Sequence, residues 1–388
     1  MKHTENPDIY HRLARYLDTL PAGFPPTPSG LEIQILKKLF TREEAGLALH
    51  LTLLNDRPGE IARRAGKSKS QVDELLAEMA NKGLISSSRQ KDGETTYAIS
   101  QFVVGFYEDQ VNRLDKEMAE LFEAYGPIWF KEGPWKKLPQ IRTIPINQAI
   151  PITSEVMPYE QAREILGSKE HIAVRNCVCR QERELLDEGC HKPMETCLSF
   201  DSAAVNTVET GKGRMITLDD AFEIIEKAQA AGLVLQPANS KNPIFMCTCC
   251  DCCCGVLRQI KKEDNPRDFV ANPFVIQHTN DLCINCENCV EICPMDALIT
   301  NPEGNVHLLQ ARCIGCGLCI SVCPTAAVKM TRKPAAEQPR TPKTTTNTYI
   351  AISRARGIKS ITRLLWGIFK SKLAGFLRLP ASGKNSDR

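Results

Sequence analysis

The sequence predicts an α+β chain of several domains, and three observations carry that prediction. At 388 residues it is longer than one ordinary domain. All 18 cysteines lie between positions 177 and 323, so composition divides the chain as well as length does. The apolar periodicity is helical at first, then alternates between helix-like and strand-like stretches. Hydrophobic residues at 42% and charged residues at 24% allow a buried core. Five segments follow. Residues 1–125 are mostly helical, 126–151 form a proline-rich linker, and 152–270 form a cysteine-rich α/β domain. A second cysteine-rich domain spans 271–332, and 333–388 hold a linker and a basic amphipathic helix.

In the first segment, amphipathic helices are expected at 31–40 and 43–54, the second capped by Thr41 and Glu44. A short helix at 59–65 leads into a Gly66-Lys67-Ser68 turn. Ser68-x-x-Gln71 is a capping box that opens the next helix, whose Val72, Leu75, Leu76 and Met79 share one face. Gly83 stops that helix, and strands at 84–88 and 95–99 join through Asp92-Gly93, a strong hairpin turn. Together these elements resemble a winged-helix domain. In winged helices that bind DNA, the second helix enters the major groove and the wing touches the backbone. The matching positions are Lys67, Lys69, Ser70 and Gln71 on the helix, with Arg89 and Lys91 on the wing. Asp73, Glu74 and Glu78 offset that basic set, and winged helices also dock proteins, so nucleic acid is the lesser expectation.

Pro127, Pro134, Pro139, Pro145 and Pro151 disfavour regular structure and predict a linker wrapped on a neighbour. Beyond it, helices are expected at 160–166 and 218–231, with strands at 171–175, 233–236 and 243–247. This domain holds Cys177, Cys179, Cys190 and Cys197, then Cys247, Cys249, Cys250, Cys252, Cys253 and Cys254. Six cysteines in eight residues cannot all face one core. All ten are candidate metal ligands, with one or two further Fe–S clusters ahead of zinc; spacing does not say which of them serve. His191, beside Cys190, is a minor candidate against an ordinary exposed loop histidine. No Cys-x3-Cys-x2-Cys and no Gly-x-Gly-x-x-Gly after a strand occurs, so the usual radical-SAM and dinucleotide signatures are missing.

The next segment repeats itself. Cys283, Cys286, Cys289 and Cys293-Pro294 are followed thirty residues on by Cys313, Cys316, Cys319 and Cys323-Pro324. A tight loop with a ligand every third residue can wrap three corners of a cubane. The fourth ligand must come from another direction, and in two-cluster ferredoxins it comes from the other motif. One 4Fe-4S cluster is therefore assigned to Cys283, Cys286, Cys289 and Cys323, and the other to Cys313, Cys316, Cys319 and Cys293. Gly315 and Gly317 allow close backbone approach in the second loop, where the first has Asn285 and Glu287, so the two clusters should differ in potential. Zinc also uses paired Cys-x2-Cys, but it does not call for the repeated x3-Cys-Pro return. The segment resembles bacterial-type dicluster ferredoxins at all eight ligand positions, with their β-hairpin and helix architecture. That resemblance implies low-potential one-electron transfer.

Pro334, Pro339 and Pro342, with the polar run 344–347, predict a flexible joint. The formal charge of +3 hides ten Lys and Arg between Glu337 and Asp387, a stretch with no acidic residue, which leaves about −7 for the rest. Within 357–379, Ile358, Ile361, Leu365, Phe369, Leu373 and Phe376 form one helical stripe opposite Arg356, Lys359, Arg363 and Lys370. Such a helix suits an anionic membrane surface or a partner groove. The start of the chain is charged and lacks an apolar leader, and no apolar run approaches the ~20 residues of a membrane span. A cytoplasmic protein with reduced thiols is expected, with a peripheral position at the inner face of the membrane as an extension of that reading.

Residues 30–330 resemble a family of anaerobe iron–sulfur proteins that combine a winged helix, a Cys-x-Cys-Arg and cysteine-rich middle domain, and a dicluster ferredoxin. Membership implies electron transfer with a redox protein or within an oxidoreductase complex, more than a stand-alone enzyme. Two alternatives stand beside it: a redox-responsive DNA-binding regulator, and an oxidoreductase with a substrate site at a middle-domain cluster.

Overall fold

The computed structural model describes residues 8–90, 92–135, 138–146, 157 and 160–357. It is a mixed α+β structure built from helices and small sheets. The N-terminal module packs α1 (Ile9–Asp18), α2 (Leu31–Leu39) and α3 (Arg42–Ala48) against a helix-turn-helix of α4 (Pro58–Ala65) and α5 (Lys69–Asn81). Both predicted capping boxes form, Thr41 with Glu44 and Ser68 with Gln71. Val72, Leu76 and Met79 are buried on the inner face of α5, and Leu75 is half-buried beside them. Then β1 (Ile85–Arg89) and β2 (Thr95–Ile99) pair antiparallel around Gly93, whose positive φ of 84° the hairpin turn requires.

One helix is shorter than the sequence predicts. The stretch expected to be helical over 43–54 stops at Ala48, because the following chain pairs with β2 instead. The N–H of Ile99 donates to the carbonyl of Thr52 at 2.8 Å, and Asp56 and Tyr97 exchange bonds of 3.0 and 2.9 Å. Another helix is longer. The residues expected to open the linker, 126–132, continue α6 (Lys116–Glu132), which Asp115 caps. Pro127 lacks an N–H and costs a helix interior about 3 kcal/mol. The buried rings of Tyr125, Trp129 and Phe130 offset that, each contributing roughly 1.5–3 kcal/mol; Phe130 stacks on Phe269 at 5.8 Å.

After α6 the chain does wrap on its neighbours. Arg142 and Ile144 donate to the carbonyls of Pro237 and Leu235, and Ile146 donates to that of Cys316 at 3.0 Å. The middle region then runs α7 (Ala162–Gly167), β3 (Ile172–Asn176), α8 (Val178–Leu185), β4 (Glu195–Phe200), α9 (Ser202–Glu209), β5 (Arg214–Ile216), α10 (Leu218–Ala230), β6 (Val234–Pro237), β7 (Phe245–Cys249) and α11 (Gly255–Lys262). Its strands form one sheet in the order β5-β3-β4-β7-β6. Alternating helices and strands suggest parallel crossovers, yet every pairing is antiparallel; β3–β4 and β6–β7 are neighbours in sequence, while the chain between β5 and β6 crosses from one edge of the sheet to the other. Leu166, Ile172, Val174, Leu198, Phe200, Ile225, Leu235 and Met246 make its core.

In the last module β8 (Phe274–His278) pairs with β11 (Val328–Arg332), and β9 (Leu298–Thr300) with β10 (Val306–Leu308). Two single-turn helices, α12 (Asn288–Glu291) and α13 (Leu318–Ser321), follow the two cysteine loops. The joint predicted to be flexible is instead a strap. Lys241 and Asn242 donate to the carbonyls of Pro342 and Lys343. Thr344 caps α14 (Thr345–Arg356), and Arg356 reaches Asp18 and the carbonyl of Leu20 in the N-terminal module. Backbone pairing with the sheet's rim supplies what composition did not reveal. The basic amphipathic helix expected beyond Gly357 lies outside the described residues. No helix among those described is long and apolar enough to cross a membrane.

Candidate metal centres

The internal repeat of the last module is a repeat of backbone as well as of cysteines. Asn285 and Gly315 have φ of 53° and 69°, Glu287 and Gly317 62° and 80°, Asp296 and Ala326 51° and 53°. Each pair is thirty residues apart and left-handed, so both loops follow one path although only the second uses glycine. The reason for glycine at 315 is contact. A Cβ there would stand 2.6 Å from the carbonyl oxygen of Phe274 and 2.7 Å from the amide of Asn272. Buried Asn272 donates to the carbonyls of Ile314 and Gly315 and accepts from the N–H of Phe274, which pins the second loop to β8.

The thiols of the two loops lie close to one another. Burial pushes Cys289 up to about 11, and the nearby Cys283, Cys323 and Cys286 add to it. Cys316 is raised by burial and by Cys293 and Cys313, and Cys319 by burial and by Cys316, Cys313 and Cys293. Cys293, Cys313, Cys316 and Cys319 line one pocket, roofed by Ile276, Met295, Ile314 and Leu318. Backbone N–H groups aim at the sulfurs: Ala297 donates to Cys293 at 3.2 Å and Asn285 to Cys283 at 3.4 Å. Burial opposes a charge on Cys323, yet the N–H groups of Thr325, Val328 and Ala327 hold it below its ordinary value. A cavity ringed by four thiols with amides pointing at sulfur fits a thiolate-bound cluster. The two sets differ in exposure. Cys286 is exposed with Cys283 half-buried, whereas Cys313, Cys316 and Cys319 are all buried.

The ten middle cysteines separate into six and four. Strand order brings Cys177 at the end of β3, Cys197 on β4, and Cys247 and Cys249 on β7 side by side. Cys177 also opens α8 and Cys254 opens α11, so two helix N-termini face the same place. The thiols close a ring: Cys177 neighbours Cys179 and Cys197, Cys247 neighbours Cys197 and Cys249, and Cys254 neighbours Cys179 and Cys249. Sharing with Cys197 and Cys249 lowers Cys247 to about 6. Cys254 is lowered by Cys179 and Cys249 first, then by the N–H groups of Leu257 and Val256 at the start of α11.

This ring walls a cavity whose other face is aromatic, with Phe102, Phe122, Trp129 and Trp135. Tyr107 donates to the carboxylate of Glu182 and touches Cys179 at 3.5 Å. Burial pushes Glu182 up to about 7. Cys197 and Cys247 also line a second, larger cleft, between the N-terminal hairpin, the sheet and α14.

Cys190, Cys250, Cys252 and Cys253 form the other group, with all four sulfurs within 4.8 Å of one another. His191 is exposed and stands outside it. Between the two groups lies Arg180, 1% exposed, which donates to Thr196 Oγ1 at 3.0 Å and the carbonyl of Thr248 at 2.8 Å. Burial works against its charge, but the fields of Cys177, Cys250, Cys249 and Cys197 hold it above its ordinary value. In return it favours thiolates in both groups: Cys250 falls to about 5, chiefly through Cys253 and then through Arg180. The Cys-x-Cys-Arg pattern signalled this cation. Tyr107, Glu182 and Asn272 left no signal, because their partners lie in distant segments.

The predicted nucleic-acid set is largely occupied within the chain. Lys67 pairs with Glu43, Lys69 with Glu94 and Arg89 with Glu209, while Gln71 caps its own helix. Ser70 is exposed on α5, and Lys91 lies outside the described residues. The β1–β2 hairpin leans on the middle region, where Asn206 of α9 donates to Ser87.

No curated protein and no solved structure matches the chain. Residues 276–330 match the family described as the 4Fe-4S dicluster domain, over both cysteine loops and both strand pairs. With the thiol-lined cavity and the amide-to-sulfur contacts, that match makes this an iron–sulfur protein that binds at least two 4Fe-4S clusters.

Proposed function

We propose that the chain relays single electrons between the two clusters of its dicluster domain and the six-thiol chamber of the middle region, in the service of an oxidoreductase partner. In this reading Cys283, Cys286, Cys289 and Cys323 hold one cluster, Cys313, Cys316, Cys319 and Cys293 the other. When bound, the clusters supply one-electron transfer without proton uptake.

The observation that carries the proposal is the way the buried loop docks. Arg312, just before Cys313, donates to the carbonyls of Lys261 and Glu263 on the middle region at 2.9 and 3.2 Å, and to Met295 at 2.7 Å. Lys261 pairs with Asp251, inside the cysteine run, and with Asp296, three residues past Cys293, at 2.9 and 3.0 Å. Thus the buried thiol set faces inward. The half-exposed set faces solvent, beside the exposed side chains of Leu282 and Ile284. One end suits an incoming partner and the other hands on to the middle region. The N-terminal module serves in this scheme as a winged-helix docking unit rather than a DNA reader.

A second reading has an observation of its own. The cleft that reaches Cys197 and Cys247 also presents Arg175, Asn176 and Asn206, which suits a polar substrate at the six-thiol centre of an oxidoreductase.

A redox titration of the full chain, followed by EPR, tests the relay. Cys177→Ser with Cys254→Ser should lower the electrons accepted per chain while both dicluster signals persist. An unchanged electron count in that variant would remove the six-thiol chamber from the pathway.

A further inference from the structure

We propose that Cys190, Cys250, Cys252 and Cys253 hold a single tetrahedral zinc ion, as a structural clamp distinct from every iron–sulfur centre of the chain. The argument is one of spacing. Cys253 Sγ lies 3.5 Å from Cys190 Sγ and 3.8 Å from Cys252 Sγ, and all four sulfurs lie within 4.8 Å of one another. A zinc ion with bonds of about 2.3 Å in tetrahedral geometry puts its thiolates about 3.8 Å apart. A cubane, with an iron at each of four corners, spreads its thiolates to roughly 6 Å.

The same structure contains its own comparison. Among the described residues, this is the one group of metal-binding side chains packed so closely. The eight cysteines of the dicluster domain, arranged for cubanes, do not reach that spacing. A crowded thiol set is therefore a property of this site rather than of cysteines in this fold at large.

Chemistry and surroundings agree. Four thiolates close the coordination shell and leave no open position for a substrate, as in structural zinc sites. Ala228 and Leu233 pack against buried Cys250 and Cys253, while exposed Cys252 and half-buried Cys190 leave an entry path for the ion. Zinc with four thiolates carries two net negative charges, and Arg180 and Arg258 bring positive fields to Cys250 and Cys253. Binding releases the remaining thiol protons to solvent. The ion would join the loop after α8 to the run that opens α11, the helix on which the dicluster domain docks. Ile292 of that domain lies against Gly232, with Lys192 beside it. The proposal does not depend on the electron relay.

Metal and sulfide analysis of the full chain, with its iron–sulfur clusters reconstituted anaerobically, is the test. The wild type should carry about one zinc per chain. Cys190→Ser and Cys253→Ser should each lower zinc at least fivefold and leave iron and labile sulfide unchanged. Loss of iron and sulfide in those variants would overturn the proposal, as would iron without sulfide at the site of the wild type. Zinc-edge X-ray absorption on the wild type needs no variant to fold. Four sulfurs at about 2.3 Å are expected. A shell dominated by nitrogen or oxygen would overturn the proposal.

Discussion

The dicluster domain strings eight cysteines along a thirty-residue repeat, whereas the middle region crowds ten into a ring of six and a knot of four. In the first, two loops of like backbone path carry four thiols each, with backbone N–H groups aimed at sulfur. In the second, adjacent strands of an antiparallel sheet bring the ring's thiols together from segments more than seventy residues apart. The loop-borne set is local and regularly spaced, the ring of six is drawn from distant segments by the sheet, and the knot of four is the dense one. That contrast is open to direct attack.

The largest effect should come from the buried half of the repeat. Cys319→Ser should cost about four irons and one EPR signal, with a fall in thermal stability. Cys286→Ser, at the exposed half, should cost a similar amount of iron with little loss of stability. Iron analysis beside thermal melts separates the two. Next comes Gly315→Ala, where strain at φ 69° and collision with Phe274 and Asn272 should destabilise by roughly 3–5 kcal/mol. Gly304→Ala has a φ of 80° but open space, and should cost only about 1 kcal/mol in denaturant unfolding.

A smaller effect is expected from Glu108, which burial raises from 4.5 to about 8 and which accepts from the N–H of Gly105 at 2.7 Å. Its folded form keeps the proton longer than its unfolded form. Its contribution is therefore full below pH 4.5 and is lost as the pH rises through about 8. Glu108→Gln should remove that decline, worth about 5 kcal/mol at most in urea unfolding at alkaline pH. The smallest is Lys261→Met. Its half-exposed pairs with Asp251 and Asp296 should contribute about 1 kcal/mol or less, and more at low salt than at high.

What was legible in the sequence follows the same divide. Spacing alone pointed to a repeat that binds two 4Fe-4S clusters, because its cysteines sit in loops of fixed length. Capping boxes at Thr41 and Ser68 marked helix starts for the same local reason. The partition of the ten middle cysteines was not legible. Cys177, Cys197 and Cys247 meet through the strand order β3-β4-β7, which backbone pairing decides and spacing does not. The β4 strand itself went unread, since Thr196, Leu198 and Phe200 alternate with Cys197 in a stretch that looked like a ligand loop. Pro127 inside α6 and the strap at 342–344 were misjudged because distant burial and pairing override local preference.

The most direct test of the account is iron and labile sulfide analysis with EPR on the anaerobically reconstituted full chain. At least about eight irons and eight sulfides per chain, with two distinguishable cluster signals, are predicted, and iron beyond that number belongs to the six-thiol chamber. Fewer than about eight irons in a fully reconstituted sample, or a single cluster signal, would contradict it.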